Sequence, residues 1–360
     1  MVPAISVADA LRAEGARVSF LGTRERAEAE LVPAAGYELD VLNVSGLDRR
    51  NPARAMAALG RAAHGVGAAR RILRERGAGA VLGAGGYVAG PVGLAAVRAG
   101  IPLVLTEADS HLGLANRLLA RRARRVCLAF PIPGREGDPY LVTGRPVPQA
   151  VLEADPGGAR RRFGIPEGDR CLAVVGGSLG ARSINETALT AFGAGESAGR
   201  PWVLHVAGRR DYSDLRERWE REGRDERYLL LEYEPSLGQV LAASDVVIAR
   251  AGGSVMEIAA AGRPAILIPY PHATGDHQTA NARWMERGGG AIVIPDQDLT
   301  PELLAARAEG LLADNRRLGE MADASRRLAK PDAAERIAAE VLEAARRPKS
   351  DPFRDRGGGV

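Results

Sequence analysis

Residues 81–96, VLGAGGYVAGPVGLAA, run from a short apolar strand through a glycine turn into a helix. Such a turn lets the main chain come close to a ligand, and the helix after it begins with unpaired N–H groups that attract anions. The motif is weak by itself, since glycine turns also serve tight packing in any α/β protein. It gains weight because two more such turns occur later in the chain.

These further turns are VVGGSLGARSINE at 174–186 and ARAGGSVMEIAAAGRPAILIPYP at 249–271. Short apolar runs such as RVSFLG, IPLVLTE, WVLHVAG and DVVIARAGG alternate with helical patterns along the rest of the chain. Most of these runs are rich in β-branched residues and end in glycine or a polar residue. This rhythm predicts an α/β fold of parallel sheets with crossover helices, arranged as two Rossmann-like domains facing a cleft.

The domain boundaries follow from a stretch at 144–170, where prolines and glycines interrupt the rhythm. We read this stretch as the joint between the domains. The predicted division is an N-terminal domain at 1–147, a linker at 148–165, a C-terminal domain at 166–347 and a disordered tail at 348–360.

Composition narrows the function. The net charge of the 360-residue chain is +4, which suits nucleic acid, an anionic membrane surface or a phosphorylated ligand. Aromatic residues make up only 4%, so the stacking platforms that single-stranded nucleic acids need are missing, and no nucleic-acid partner is predicted. Both cysteines lie in apolar runs, which favours a reducing cytoplasm over a disulfide framework. No signal peptide and no 18-residue apolar span is found.

Metal chemistry is poorly supported by the sequence. The five histidines show no spacing typical of metal ligands. The run Asp296-Gln297-Asp298 resembles the aspartate pair of metal-dependent sugar transferases, but a turn or helix start before LTPELL explains it better. We therefore predict neither a metal nor another cofactor.

The third glycine turn carries residues suited to a nucleotide. Gly252, Gly253 and Ser254 would offer N–H groups to a diphosphate at a helix start, and Ser178 in the second turn has a hydroxyl that suits a phosphate. Glu257, one helical turn further on, suits a ribose diol, because a carboxylate accepts two hydroxyl donors. The alternative is that Glu257 only complements the helix dipole.

A pair of amides comes after this turn. Gln278 and Asn281 lie three residues apart and would share one helix face, where their amides suit sugar hydroxyls. An ordinary polar helix surface is the competing interpretation.

Taken together, these motifs resemble the MurG family, the UDP-N-acetylglucosamine transferases that complete lipid II in bacterial peptidoglycan synthesis. The resemblance runs from residue 1 to about 345 and rests on VSFLGTRERAEAELVPAAGYELD, VLGAGGYVAGPVGLAA, GLANRLLA, VVGGSLGAR and RAGG…EIAAAG…HQTANA, in family order and spacing. It implies a GT-B architecture, with the donor UDP-GlcNAc at the C-terminal domain and lipid I at the N-terminal one.

Site residues carried over by position fall into two groups. For the donor, the resemblance implies Ser178, Leu179, Gly180, Tyr233 beside the uracil, Gly252, Gly253, Ser254, Glu257 at the ribose, and Gln278 with Asn281 at the GlcNAc hydroxyls. For the acceptor, it implies Gly85, Gly86, Tyr87, Glu107 and Asn116. The family's Asn-Pro-Val-Arg run reads GRPVP here, so Pro148 replaces its arginine, and Arg145 is the candidate substitute at the donor.

The implied reaction is attack by the C4 hydroxyl of the N-acetylmuramyl sugar of lipid I on the anomeric carbon of UDP-GlcNAc, with inversion and loss of UDP. Glu107 is the carboxylate candidate for the base, and His111 is a weaker one. The implied partners are UDP-GlcNAc, lipid I, the anionic inner-membrane surface and other cell-wall and division proteins. The implied location is peripheral, on the cytoplasmic face of the cell membrane. Residues 53–76, with modest apolar surface beside arginines, and the arginine-rich run 121–125 suit anionic lipid, although both could equally be solvated helix faces.

Two alternatives stay open from the sequence. One is another GT-B nucleotide-sugar transferase with a different lipid or small-molecule acceptor, because a fold does not fix the acceptor. The other, favoured only if the short N-terminus is genuine, is a non-catalytic UDP-sugar-binding scaffold of the cell-wall machinery. Residues 4–14 read as an amphipathic helix, whereas the family begins with a strand and a glycine loop containing a histidine. We therefore expect the first strand of the N-terminal domain to be missing from this sequence. We hypothesise that Met1 is a valine codon taken as a start, which the upstream reading frame tests.

Overall fold

The protein was analysed as a computed structural model that describes residues 1–24, 28–44, 52–177, 180–193, 200–223 and 225–346, without the side chains of residues 52–63 and 274. Ser178, Leu179 and the predicted tail at 348–360 lie outside the described residues. The chain forms two compact units. Unit 1 comprises Met1–Pro146 and the chain from Asp332 onward, and unit 2 comprises Val147–Pro331.

Unit 2 is built on one parallel sheet of six strands. Their order is β12-β11-β10-β7-β8-β9, so the first strand of this unit lies in the middle and the chain winds outward in both directions. The central strands are buried on both faces, as their unbroken apolar sequences require. The strands are β7 Cys171–Val175, β8 Trp202–Val206, β9 Tyr228–Leu231, β10 Val246–Ala249, β11 Ala265–Leu267 and β12 Ala291–Val293.

Helices connect these strands and cover the sheet. The main core includes Leu172 and Val174 of β7, Ile248 of β10 and the apolar stripe of α8, represented by Ile184 and Leu189. The helices of unit 2 are α6 Gln149–Leu152, α7 Pro156–Arg162, α8 Arg182–Phe192, α9 Tyr212–Arg221, α10 Leu237–Ala243, α11 Ser254–Ala260, α12 His277–Arg287, α13 Pro301–Leu312 and α14 Asn315–Leu328.

Unit 1 contains two parallel sheets. One pairs β1 with β2, and the other has the order β3-β4-β5-β6. Leu21 of β1 and Val81 of β3 belong to the same hydrophobic cluster, yet no ladder in the described chain joins β1 to β3. The strands are β1 Ser19–Gly22, β2 Glu38–Val41, β3 Val81–Gly83, β4 Leu103–Glu107, β5 Arg125–Leu128 and β6 Tyr140–Val142.

The last helix among the described residues belongs to unit 1. Its apolar stripe, which includes Ile337 and Val341, packs with Val7 and Leu11 of α1 and with Val104 of β4. The sequence prediction had placed this helix in the C-terminal domain at 166–347. An apolar stripe shows that one face of a helix is buried, but it does not show which sheet buries it. The helices of unit 1 are α1 Val2–Ala13, α2 Glu28–Ala34, α3 Pro52–Glu75, α4 Ala89–Arg98, α5 Leu114–Leu119 and α15 Ala333–Arg346.

The predicted linker at 148–165 is folded within unit 2 as α6 and α7. Its breaker residues have local structural roles: Asp155 caps α7 by accepting from the N–H of Gly158 at 2.6 Å, and Pro156 occupies the first turn. Gly238 of α10 lies so close to this segment that a Cβ there would be 2.3 Å from the carbonyl oxygen of Ala150. The linker residues are therefore packed against α10.

The predicted α/β class is confirmed within each unit by its parallel sheets and crossover helices. The predicted helix at 4–14 corresponds to α1, which buries Val7, Ala8 and Leu11. Within the described ranges, no helix combines the length and apolarity needed to cross a bilayer.

Candidate functional site

The sheet of unit 2 reverses its winding between β7 and β10, which are neighbours in the sheet. In open α/β sheets, ligands bind outside the carboxyl ends of the strands at such a switch point, where the two connections diverge. Both strands here lead into glycine turns, Gly176–Gly180 after β7 and Ala251–Ser254 after β10. The second and third predicted motifs are thus brought together at one place.

The first of these turns depends on glycine. Gly177 and Gly180 have φ of 76° and 91°, which side chains rarely adopt. A Cβ on Gly180 would lie 2.4 Å from Oδ2 of Asp211, and one on Gly176 would lie 2.6 Å from the carbonyl oxygen of Ala207. The turn therefore rests directly on the end of β8 and on Asp211. Ser178 and Leu179, between these glycines, are outside the described residues.

A buried polar network lies beneath this turn. Nε2 of His205 donates to Oδ1 of Asn185 at 3.0 Å, and the hydroxyl of Tyr228 donates to Nδ1 of His205 at 2.5 Å. Nδ2 of Asn185 in turn donates to Oδ2 of Asp211 at 3.1 Å and to the carbonyl of Ala207 at 2.9 Å. The network thus runs from the core to the residues that touch the glycine turn.

Burial decides the protonation of this network. His205 is completely enclosed, and desolvation lowers its pKa to about 3, so the ring is neutral at pH 7. Burial also raises the pKa of the Tyr228 hydroxyl, which stays protonated and donates. In the sequence analysis, His205 was noted only as one of five histidines that lack the spacing of metal ligands. Its position inside the apolar run WVLHVAG was the signal that its side chain is buried.

The two predicted amide residues hold the backbone at and near the second turn. Nδ2 of Asn281 donates to the carbonyl of Ala251 at 3.1 Å, and Oε1 of Gln278 accepts from the N–H of Tyr270 at 2.9 Å. Asn281 is fully buried, and no donor among the described residues reaches its Oδ1. In this structure both amides hold loops next to the turn.

The remaining predicted donor residues lie around the second turn and at β9. Ser254 begins α11, and Glu257 lies one turn further on and is partly exposed. Tyr233, after β9, is 45% exposed and has the guanidinium carbon of Arg209 at 4.7 Å from its ring centroid. Tyr233 thus offers an aromatic surface with a cation beside it.

Arg250 is the residue that sequence reasoning missed at this edge. It directly follows β10, and its guanidinium donates to Asp296 and to Ser183. Asp296 belongs to the run that the sequence analysis had weighed as a metal motif. The available signal was the position of both residues at the carboxyl ends of strands β10 and β12.

In unit 1, the predicted Gly85–Tyr87 turn comes after β3. Gly85 and Gly86 have φ of 86° and 72°. The hydroxyls of Tyr87 and Thr23 lie 3.3 Å apart, and the Thr23 hydroxyl donates to Oε1 of Glu28 at 2.9 Å. Tyr87 therefore connects this turn to the residues just after β1.

Glu107 ends β4 and is buried, with 8% of its surface exposed. Its Oε2 accepts from the N–H of Gly113 at 2.8 Å and from Nδ2 of Asn116 at 2.9 Å. Within the described part of the chain, no donor reaches Oδ1 of Asn116, which is also buried. The structure thus brings the predicted acceptor residues Glu107 and Asn116 into direct contact and leaves one amide oxygen for a further donor.

Arg145, the candidate substitute at the donor, belongs to unit 1. The pKa of the Met1 amino group is lowered mainly by burial and, to a smaller extent, by the positive charge of Arg145. Arg145 therefore lies near the start of the chain. Among the residues whose placement is described, no three His, Cys, Asp or Glu side chains come together as metal ligands would.

Comparison with known families identifies both halves of the chain. Residues 1–128 match the glycosyltransferase family 28 N-terminal domain, and residues 171–337 match the glycosyltransferase family 28 C-terminal domain. Together these matches span well over half of the chain.

Individual relatives support the same family assignment. The UDP-N-acetylglucosamine–N-acetylmuramyl-(pentapeptide) pyrophosphoryl-undecaprenol N-acetylglucosamine transferase of Salinibacter ruber is 39% identical over 353 residues, which cover 96% of this chain and 94% of the relative. The enzyme of the same name from Alkalilimnicola ehrlichii is 42% identical over 351 residues, covering 96% and 95%. The crystal structure of Acinetobacter baumannii MurG superposes with a TM-score of 0.75 at 28% identity and 95% coverage of each chain. The chain therefore belongs to the MurG family of GT-B transferases, within glycosyltransferase family 28.

Proposed function

We propose that this protein transfers GlcNAc from UDP-GlcNAc to the C4 hydroxyl of the N-acetylmuramyl sugar of lipid I, which forms lipid II. The observation that carries the proposal is the near-full-length identity of about 40% to transferases named for this reaction. The paired glycine turns at the switch point of unit 2 support it, since this is where a Rossmann-like sheet binds a nucleotide.

The donor diphosphate would bind at the two glycine turns. Helices α8 and α11 each carry partial positive charge at the end that follows a glycine turn. In α11 the N–H groups of Val255 and Met256 already donate to the carbonyl oxygens of Gly252 and Gly253, so the amides of Gly252, Gly253 and Ser254 are the ones proposed for the diphosphate. Amides that are already held in place stabilise charge growing on the leaving diphosphate without reorganisation. Tyr233 offers its exposed ring to the uracil, and Glu257 offers its carboxylate to the ribose.

The chemical step would form a bond from the acceptor C4 oxygen to the anomeric carbon, while the bond from that carbon to the β-phosphate oxygen breaks. The electron pair leaves with UDP, and the hydroxyl proton passes to a base. Glu107 is the proposed base. Its hydrogen bonds to Gly113 and Asn116 fix the carboxylate, and the remaining amide oxygen of Asn116 suits an acceptor hydroxyl.

The protein would act at the cytoplasmic face of the cell membrane, because the acceptor's undecaprenyl chain stays in the bilayer. In α5, Leu118 is 71% exposed and Leu114 is 39% exposed. Arg117 and Arg121 lie between and beside these leucines and are themselves exposed. Exposed apolar side chains next to exposed arginines suit an anionic lipid surface. Association with cell-wall and division proteins stays a prediction.

Two measurements test the proposed function. UDP-GlcNAc binding is measured by calorimetry, and transfer to a lipid I analogue is followed in parallel. Binding with transfer supports the proposal, whereas binding without transfer under conditions where a relative turns over rejects it.

The membrane part is tested separately. Leu118→Ser is expected to weaken sedimentation with vesicles that contain anionic lipid, whereas Val41→Ser, at another exposed apolar residue, is the matched control. Equal sedimentation of both variants and the wild type would reject the assignment of α5.

A further inference from the structure

Arg250, Ser183 and Asp296 form one cluster at the carboxyl edge of the sheet in unit 2. Nη1 of Arg250 donates to Oδ1 of Asp296 at 2.5 Å, and Nη2 donates to Oγ of Ser183 at 2.7 Å. The Ser183 hydroxyl donates to the same Asp296 oxygen at 2.7 Å. Each pair in this triangle is therefore directly hydrogen-bonded.

The cluster joins connections that leave different strands. Arg250 follows β10, Ser183 lies in the first turn of α8 after β7, and Asp296 follows β12 at the edge of the sheet. Nη1 of Arg250 also lies 3.2 Å from the carbonyl oxygen of Ile268 and 3.3 Å from that of Pro269, which come directly after β11. One guanidinium thus joins the segments after β10, β11 and β12 to the first turn of α8.

Burial makes this tie rigid. The side chains of Arg250 and Asp296 are only 16% and 21% exposed. Charge-assisted hydrogen bonds in such surroundings are stronger than neutral ones, and a partner left alone there is costly. Loss of the Asp296 charge would leave Arg250 held only by neutral acceptors, the Ser183 hydroxyl and the Ile268 and Pro269 carbonyls, and would therefore weaken the hold on its position.

Both glycine turns lie next to this cluster in the chain. Arg250 directly precedes Ala251, whose carbonyl oxygen is held from the other side by Asn281 at 3.1 Å. Ser183 lies three residues after Gly180, at the start of the helix that the first turn leads into. The ladder between β7 and β10 fixes the two strands, and the cluster fixes the connections at their carboxyl ends.

We propose that Asp296 is a positioning residue that acts through Arg250 and Ser183 to set the spacing of the two glycine turns that hold the donor diphosphate. The inference rests on the proposed function, because it needs the donor to bind at these turns. Asp296 acts here as the counter-ion of an arginine, in the run that had been weighed as a metal motif.

The test compares Asp296→Asn with Asp298→Asn, which removes an exposed carboxylate from the same three-residue turn. UDP binding is measured by calorimetry, and KM for UDP-GlcNAc and kcat are measured at saturating acceptor. Asp296→Asn is expected to weaken UDP binding and raise the donor KM by roughly tenfold, the scale of one charge-assisted hydrogen bond, with kcat changed less than KM. Asp298→Asn is expected to match the wild type, and Asp296→Glu, which restores the carboxylate, is expected to recover most of the affinity.

If Asp296→Asn fails to fold, Ser183→Ala is the substitute test, because this variant removes only one hydroxyl from a partly exposed residue. Ser183→Ala is expected to cause a smaller loss of UDP affinity. The proposal is overturned if Asp296→Asn binds UDP as well as Asp298→Asn does, or more tightly, or if it lowers kcat with an unchanged donor KM. Failure of the wild-type protein to bind UDP would instead reject the proposed function, so the two failures are distinguishable.

Discussion

Replacement of His205 by leucine is expected to destabilise unit 2 strongly. The change leaves Oδ1 of Asn185 and the hydroxyl of Tyr228 without their partner, and both residues are essentially inaccessible to water. Each orphaned buried group costs about 1–3 kcal/mol, so His205→Leu is expected to lower the free energy of unfolding by about 2–6 kcal/mol. With a urea m-value of about 2 kcal/mol per M, the midpoint falls by roughly 1–3 M.

The assay is urea denaturation followed by tryptophan fluorescence. All three tryptophans, Trp202, Trp219 and Trp284, lie in unit 2, so the signal reports on that unit alone. The control is a double-mutant cycle with Tyr228→Phe. The two single variants together orphan three buried groups, whereas the double variant orphans only Oδ1 of Asn185. At about 1–3 kcal/mol for each group, the double variant should be about 2–6 kcal/mol more stable than additivity predicts. Additive losses would refute the network.

The pH dependence tests the same residue. Burial lowers the pKa of His205 to about 3, so below pH 6.5 the unfolded chain binds a proton that the folded unit does not. Stability therefore falls with falling pH by up to about 1.4 kcal/mol per pH unit until the folded pKa is reached. His205→Leu lacks this loss, so the gap between the two proteins should narrow by about 2 kcal/mol between pH 7.5 and pH 5. A gap that does not change with pH would contradict a buried neutral imidazole.

Three further changes give direct tests. Gly180→Ala would place a Cβ only 2.4 Å from Asp211 at a residue with a φ of 91°, so it is expected to weaken UDP binding by about tenfold or more in calorimetry. Gly310→Ala is the control and should bind UDP normally, because a Cβ there meets no atom within 4 Å. Glu107→Gln is expected to lower the transfer rate by about 10²- to 10⁴-fold with UDP binding unchanged; a variant that keeps its rate would remove Glu107 as the base. Ile337→Asp places a charge at a 1%-exposed core position, so limited proteolysis should cut unit 1 while the tryptophan transition of unit 2 stays in place.

Local features of the fold were predictable from the sequence because they depend on neighbouring residues. Apolar runs such as CLAVV and VVIA, each with glycine soon after it, predicted buried parallel strands and their turns, and β7 and β10 are found there. The glycines at 85, 177 and 180 were noted as turn residues, and their positive φ angles explain the choice. The candidate donor turns were identified for the same reason.

Contacts that depend on strand order were not predictable. Arg250 and Asp296 are 46 residues apart in the chain and meet only because β10, β11 and β12 are consecutive in the sheet. Likewise, the roles of Gln278 and Asn281 in holding loops depend on where α12 packs, which helical spacing does not reveal. The packing of α15 against unit 1 was not predicted, because an apolar stripe does not indicate which surface buries it.

The return of α15 to unit 1 has a consequence for biosynthesis. Unit 2 is continuous in the chain, so all of its residues are available to fold once Pro331 has left the ribosome. Unit 1 must wait for residues 332–346, which supply Ile337 and Val341 to cover α1 and β4. Ribosome-bound chains in which Pro331 has emerged while residues 332–346 are still inside the exit tunnel should therefore carry a protease-resistant second half behind a first half that is still open to cleavage.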